Sequence, residues 1–173
     1  MQVDDTRPLR VASRHPVALG VTELVLEHVE GLPLPSWQPG SHIDVQLAPD
    51  LVRQYSLCGA TDDQHRWRIA VLREPESRGG SAALCDRVQV GDVLLATGPR
   101  NHFELHPSPR YLFIGGGIGI TPLMPMIQQA SAAGADWRLV YGGRTEASMA
   151  YRSELRGLDP DSPRGLSKVT ETW

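Results

Sequence analysis

Three short stretches of this chain carry groups suited to an aromatic ligand that bears phosphate. The first contains Arg53, Tyr55 and Ser56, which offer a guanidinium for a phosphate, a phenol for ring stacking and a hydroxyl for a hydrogen bond. Residues 77–81 and 115–122 are rich in glycine, and backbone amides at such helix starts bind anions. Together and in this order, the three stretches indicate a flavin site followed by a nicotinamide-nucleotide site.

Each stretch has an ordinary structural alternative when it is taken alone. Arg53 and Tyr55 also fit a strand with a surface arginine and a core tyrosine, and alternation would place Ser56 on the opposite face. Residues 77–81 also fit a loop with a helix cap. Residues 115–122 also fit a structural turn, since Ile120 occupies the third glycine position of the dinucleotide fingerprint. Their conjunction favours the cofactor interpretation.

The first half of the chain has the pattern of antiparallel strands. Residues 41–47 and 67–71 alternate apolar and polar side chains, as half-buried strands do. Frequent proline and glycine residues separate these segments, which is typical of a small barrel. We therefore predict a six-stranded antiparallel flavin-binding barrel over residues 1–106, with one short helix at 81–88.

The second half changes to a repeat of strand, turn and helix. Residues 111–114 form a continuous apolar run, which predicts a parallel strand covered on both faces. Thr121 is the predicted N-cap of a helix that runs to about Ala133, followed by a strand at 137–141 and a second helix at 147–156. We predict an incomplete parallel-sheet nucleotide-binding domain over 107–157 and an irregular tail over 158–173.

Composition excludes several classes of protein. The net charge of −3 in 173 residues gives no basic surface for nucleic acid. Two distant cysteines, Cys58 and Cys85, supply neither a disulfide framework nor an iron–sulfur cluster, and the six histidines lack the spacing of metal ligands. The polar N-terminus and the lack of a long apolar run predict a cytoplasmic protein with no membrane contact.

The motifs resemble those of one reductase family. The matching stretches are residues 53–58, 69–74, 77–81, 98–103, 115–122 and 141–144. They are similar to the reductase components of Rieske-type aromatic-ring oxygenases and O-demethylases, the phthalate dioxygenase and vanillate demethylase group of the ferredoxin-NADP reductase superfamily. The resemblance covers about residues 7 to 156.

The resemblance implies an NAD(P)H-dependent flavin reductase that passes electrons to an iron–sulfur protein or a Rieske oxygenase in aromatic degradation. It implies FMN, with FAD as the alternative, and NADH, with NADPH as the alternative. Ser56 would lie near the reactive flavin nitrogen, the one catalytic position, beside the ring-binding Arg53 and Tyr55. The residues that would bind the flavin phosphate are Arg78, Gly79, Gly80 and Ser81. Those that would face the nucleotide are Gly116, Gly117, Gly119 and Thr121, with Arg144 at the adenosine end.

The chain also departs from this family. The later strands of the nucleotide domain and the usual iron–sulfur domain are not expected within its 173 residues, and residues 164–173 are expected to fall outside the resemblance. Three interpretations therefore stay open. The chain is a working reductase, a truncated flavin-binding module without catalysis, or an unstable fragment that holds no cofactor.

Overall fold

The structure, a computed structural model, describes residues 6–74, 79–158 and 169–171. Six strands form the first sheet: β1 (Thr6–Ala18), β2 (Val21–His28), β3 (Ser41–Ala48), β4 (Leu51–Ser56), β5 (Arg66–Leu72) and β6 (Val93–Asn101). Between β5 and β6 lies a short helix, α1 (Gly80–Ala82), which continues as a single π-helical segment, Ala83–Arg87. This segment confirms the helix predicted near residues 81–88.

The first sheet is antiparallel, with the strand order β4-β3-β6-β1-β2-β5. Alternation along the strands predicts its core correctly, since Ile43 and Val45 of β3 and Trp67 and Ile69 of β5 are fully buried. The sheet curves like a barrel, but the described residues show no ladder between the end strands β4 and β5. The predicted six-stranded architecture is therefore confirmed in a form that does not close.

The second part contains a parallel sheet of β7 (Arg110–Gly116), β8 (Asp136–Gly143) and β9 (Val169–Glu171), in that order. A 3₁₀ segment, Gly117–Ile120, leads from β7 towards α2 (Leu123–Ala132). A second 3₁₀ segment, Glu146–Ser148, precedes α3 (Arg152–Gly157). Every helix of the described chain is too short or too polar to span a bilayer.

Three predictions for this second part are wrong. Residues 169–171, expected in an irregular tail, pair with β8 as a third parallel strand. Thr121 has helical dihedrals and does not cap α2, which has Pro122 at its N-cap instead. The apolar run of β7 is not covered on both faces, because Leu112 and Ile114 are 63% and 70% exposed. The apolar run and its composition identify β7 as a strand, but they do not show which elements pack against its two faces.

The two parts share one hydrophobic cluster. Val21, Cys58 and Ala70 belong to the antiparallel half of the chain, yet they pack in the same cluster as Phe113 and Met124 of the second half. The backbone adds a direct link, since the amide of Leu19 donates to the carbonyl of Ala147 at 2.7 Å. This packing fixes the second part against one end of the antiparallel sheet and creates a cleft between them.

Candidate functional site

The cleft contains a cavity of about 600 Å³ lined by both parts of the chain. Arg53, Tyr55 and Ser56 of β4 form one side, and Gly119 and Thr121 form the other. The remaining lining residues are Gln54, Ala70, Leu72, Glu74, Ser81, Ile118 and Pro122. The structure therefore brings together two motifs that lie more than 60 residues apart in the sequence.

Strand β4 supplies the barrel side of the cavity. It pairs with β3, and this register sets Tyr55 opposite the buried Ile43 and Arg53 opposite Val45. Burial raises the pKa of Tyr55 to about 12, so its phenol stays neutral and can stack on a ring. Contrary to simple alternation, Gln54 and Ser56 line the same cavity as Arg53 and Tyr55, so the last four residues of β4 all border it.

Gly80 and Arg53 converge at one end of the cavity. A Cβ atom on Gly80 would lie 2.9 Å from Cγ and 3.1 Å from Nε of Arg53, so only glycine lets this arginine pack against the start of α1. Gly79 is left-handed, with a φ of 93°. The hydroxyl of Ser81 accepts a hydrogen bond from the amide of Glu74 at 3.0 Å, which leaves its proton free to donate. Arg78, the fourth predicted phosphate ligand, lies outside the described residues.

A hydrogen-bonded turn supplies the opposite side. Gly117 is left-handed, with a φ of 51°, and its carbonyl accepts from the Tyr141 hydroxyl at 3.1 Å. The same hydroxyl lies 3.2 Å from the carbonyl of Ala150. Thr121 is buried, and its hydroxyl donates to the carbonyl of Ile118 at 3.0 Å. Thr121 therefore fixes the turn, and the open backbone of the turn is what faces the cavity.

The other predicted nucleotide residues lie beside the cavity and not in its lining. Gly116 and Gly117 precede the lining residue Gly119 in the turn. Arg144 directly follows β8 and is exposed. The sequence interpretation gave no role to Gln54 and Glu74, which do line the cavity. Both lie inside stretches that resemble the reductase family, residues 53–58 and 69–74, and this resemblance could have identified them as site residues.

A smaller cavity of about 270 Å³ adjoins the first and shares Gln54, Ser56 and Pro122 with it. His42 lies on its wall, and its Nε2 atom is buried without a hydrogen-bond partner among the described residues. Burial lowers the pKa of His42, although Asp44 opposes the shift. In the same described part of the chain, no three metal-ligating side chains converge.

The large cavity fits a flavin. Its volume is typical of cofactor sites, which usually combine apolar walls with a few polar groups. Tyr55 can stack on the ring system, while Arg53 and the backbone near Gly80 can bind the phosphate. Gly119 adds no side chain on the facing wall, and a Cβ there would meet no atom within 4 Å. A second planar ring can therefore approach from that side.

Comparison with known proteins agrees with this geometry. Residues 113–172 match the family model of the oxidoreductase NAD-binding domain. The match includes most of the tail, so the expectation that residues 164–173 fall outside the resemblance is wrong for all but the last of them. The second part of the chain is thus an NAD-binding oxidoreductase domain.

Relatives extend the likeness to most of the chain. Vanillate O-demethylase oxidoreductase of Pseudomonas putida is 41% identical over 148 residues, which are 85% of this chain and 46% of that protein. A solved phthalate dioxygenase reductase, described as a modular structure for electron transfer from pyridine nucleotides to 2Fe–2S, is 32% identical with a TM-score of 0.85, over 98% of this chain and 52% of that one.

A second solved structure is similar over a smaller share of its own chain. Full-length CYP116B46 of Tepidiphilus thermophilus is 42% identical with a TM-score of 0.86, over 90% of this chain and 21% of that one. The chain spans about half the length of the curated relatives it matches. Its homologues therefore include the reductase subunit of phthalate 4,5-dioxygenase and the vanillate O-demethylase oxidoreductase, and its fold is similar to that of phthalate dioxygenase reductase.

Proposed function

We propose that the chain is the flavin- and nicotinamide-binding part of a reductase that carries electrons from NADH through FMN to an iron–sulfur protein or a Rieske-type oxygenase. The observation that carries this proposal is the shared cavity, in which Tyr55 and Ser56 face Gly119 and Thr121. The names of the relatives support a role in supplying an oxygenase of aromatic compounds.

Each residue has a defined task in this proposal. Tyr55 stacks on the flavin ring, Arg53 binds its phosphate together with Gly79, Gly80, Ser81 and Arg78, and the Ser56 hydroxyl hydrogen-bonds the ring nitrogen at the reacting edge. A bound flavin supplies the ability to accept two electrons from a nicotinamide and to release them singly.

The facing turn has the complementary task of admitting the nicotinamide. Gly116, Gly117 and Gly119 offer backbone without side chains, the Thr121 bond to Ile118 holds their conformation, and Arg144 binds the adenosine end. No side chain has to act as an acid or a base, because the rate depends on holding two rings at reacting distance.

Anaerobic reconstitution with FMN tests the proposal. We expect NADH to bleach the visible band of the bound flavin, and a Tyr55→Ala variant to bind FMN more weakly. Parallel titrations with FAD and NADPH decide which flavin and which nucleotide are preferred. Reduction of a purified 2Fe–2S ferredoxin by the loaded protein tests the downstream step. Tight FMN binding without bleaching would contradict the proposed reductase activity.

That last outcome would support a second candidate, a flavin-binding module without catalysis. The observation in its favour is that three predicted nucleotide-binding residues, Gly116, Gly117 and Arg144, do not line the cavity. The two candidates predict the same flavin affinity but opposite responses to NADH, so one experiment separates them.

A further inference from the structure

A partly buried ionic cluster joins the two parts of the chain away from the large cavity. Its centre is Arg68 of β5, whose Nη2 lies 2.8 Å from Oε1 of Glu154 and whose Nη1 lies 3.2 Å from Oε2. The same guanidinium donates to the carbonyl of Cys58, at 2.6 Å from Nη2 and 3.2 Å from Nε. A forked contact of this kind fixes orientation as well as distance.

Glu23 and Tyr151 complete the cluster. The Tyr151 hydroxyl donates to Oε2 of Glu23 at 2.8 Å, although the two residues are 128 positions apart. Nε of Arg68 lies 3.6 Å from the same carboxylate oxygen, and its guanidinium lies 5.3 Å from the centre of the Tyr151 ring. Glu23 and Arg68 belong to the antiparallel sheet, while Tyr151 and Glu154 belong to the nucleotide-binding part.

Tyr151 has a backbone conformation that requires support from its surroundings. Its φ of 61° is the only positive φ of a non-glycine residue in the described chain. An aromatic residue is disfavoured there, so the surrounding contacts must hold it in place. Its carbonyl also accepts from the amide of Leu155 at 2.9 Å, which links the cluster to α3.

The cluster is connected to both walls of the large cavity. On the nucleotide side, Tyr151 follows Ala150, whose carbonyl lies within reach of the Tyr141 hydroxyl that also contacts Gly117. On the barrel side, Arg68 shares β5 with Ala70 and Leu72, which line the cavity. A shift in this cluster would therefore move one cavity wall relative to the other.

We propose that Glu23, Arg68, Tyr151 and Glu154 form an interdomain latch that sets the spacing between the nucleotide-binding turn and the flavin-binding strand. This inference rests on the proposed function for its kinetic consequence. None of the four residues lines the large cavity, so they are positioning residues. The shared hydrophobic cluster holds the two parts together but is not directional, whereas the forked ion pair and the Tyr151 hydrogen bond fix orientation and distance.

Distance measurements between two spin labels test the latch without any cofactor. Val93 of β6 and Leu112 of β7 are 54% and 63% exposed and lie on different parts, so each can be replaced by cysteine and labelled. The native Cys58 and Cys85 are buried and will resist the label. In this background, we expect Glu154→Gln and Tyr151→Phe each to broaden the distance distribution, because each weakens a contact between the two parts.

Asp86→Asn is the matched control. It removes another forked pair with an arginine, Arg73, at 2.8 Å, but both partners belong to the antiparallel part. We expect the distribution of this variant to stay that of the wild type. Tyr151→Phe keeps the aromatic ring and serves as the milder variant if Glu154→Gln fails to fold, as judged by circular dichroism.

Stopped-flow measurements of FMN reduction by NADH then test the effect of the latch on rate. We expect both latch variants to bind FMN as the wild type does but to be reduced by NADH at least about tenfold more slowly, because small misplacements of reacting groups have large effects on rate. Unchanged distance distributions in both variants would overturn the latch, whether or not the wild type reduces FMN. Broadened distributions with unchanged reduction rates would overturn its role in positioning.

Discussion

Replacing Gly119 with alanine should slow flavin reduction without weakening the fold. Gly119 lines the large cavity, and a Cβ atom there would meet no other atom within 4 Å. Its φ is also outside the left-handed region that Gly117 occupies. The substitution therefore introduces neither a clash nor backbone strain, and the new methyl group occupies open space at the cavity wall.

Two opposite effects follow from this geometry. Loss of backbone freedom in the unfolded chain should stabilise the variant by about 0.4–1 kcal/mol. For a protein of this size, this raises Tm by roughly 2–4 °C at most. A methyl carbon, however, keeps other heavy atoms about 3.5–4 Å away. If that displaces the nicotinamide by about 1 Å, the rate of flavin reduction falls by about a hundredfold.

The assay pairs thermal denaturation with anaerobic stopped-flow reduction of the FMN-loaded protein by NADH. Gly157→Ala is the control, because Gly157 also has open space around its missing Cβ but lies in α3, outside the cavity lining. We expect the control to reduce FMN at the wild-type rate. Wild-type reduction by Gly119→Ala, at equal or higher Tm, would refute the conclusion that this turn faces the reacting ring.

Three further predictions concern other parts of the structure. Gly80→Ala should displace Arg53, which lies 2.9 Å from the new Cβ, and weaken FMN binding in a fluorescence titration, with Gly157→Ala again as control. Tyr141→Phe removes the one hydroxyl proton that the carbonyls of Gly117 and Ala150 share. It should lower the free energy of unfolding by about 1–3 kcal/mol in urea denaturation, and wild-type stability would contradict the bond. Burial raises the pKa of Cys58 from 9.0 to about 12, so the folded state binds this proton more tightly than the unfolded state. The free energy of unfolding should therefore fall above pH 9, by up to about 1.4 kcal/mol per pH unit, with a smaller slope in Cys58→Ala, and equal slopes would refute this assignment.

Local sequence patterns predict much of this fold, because they report local geometry. Alternation places Ile43 and Val45 in the core correctly, because the two faces of a strand follow from the order of neighbouring residues alone. The order of the three motifs also predicts the cofactor interpretation that the cavity and the relatives support. Ser56 shows the limit of alternation, because it lines the same cavity as its neighbour Tyr55 instead of facing away from it.

Contacts between distant residues could not be predicted in this way. Tyr151 and Glu23 are 128 positions apart, and nothing near either residue indicates the other. The same limit explains the exposed Leu112 and Ile114, since an apolar run shows that a strand can be buried but not that another element covers it.

The hydrophobic cluster that includes both Cys58 and Phe113 has a consequence for recombining reductase modules. A break in the chain at residue 107, where the sequence pattern changes, would remove Val21, Cys58 and Ala70 from the side chains they pack against. Chimeras made at that point would expose apolar surface on both fragments and inherit mismatched cores from two parents. A transplanted nucleotide-binding module therefore has to bring its cognate contact residues from the barrel, and selection on either half constrains the other.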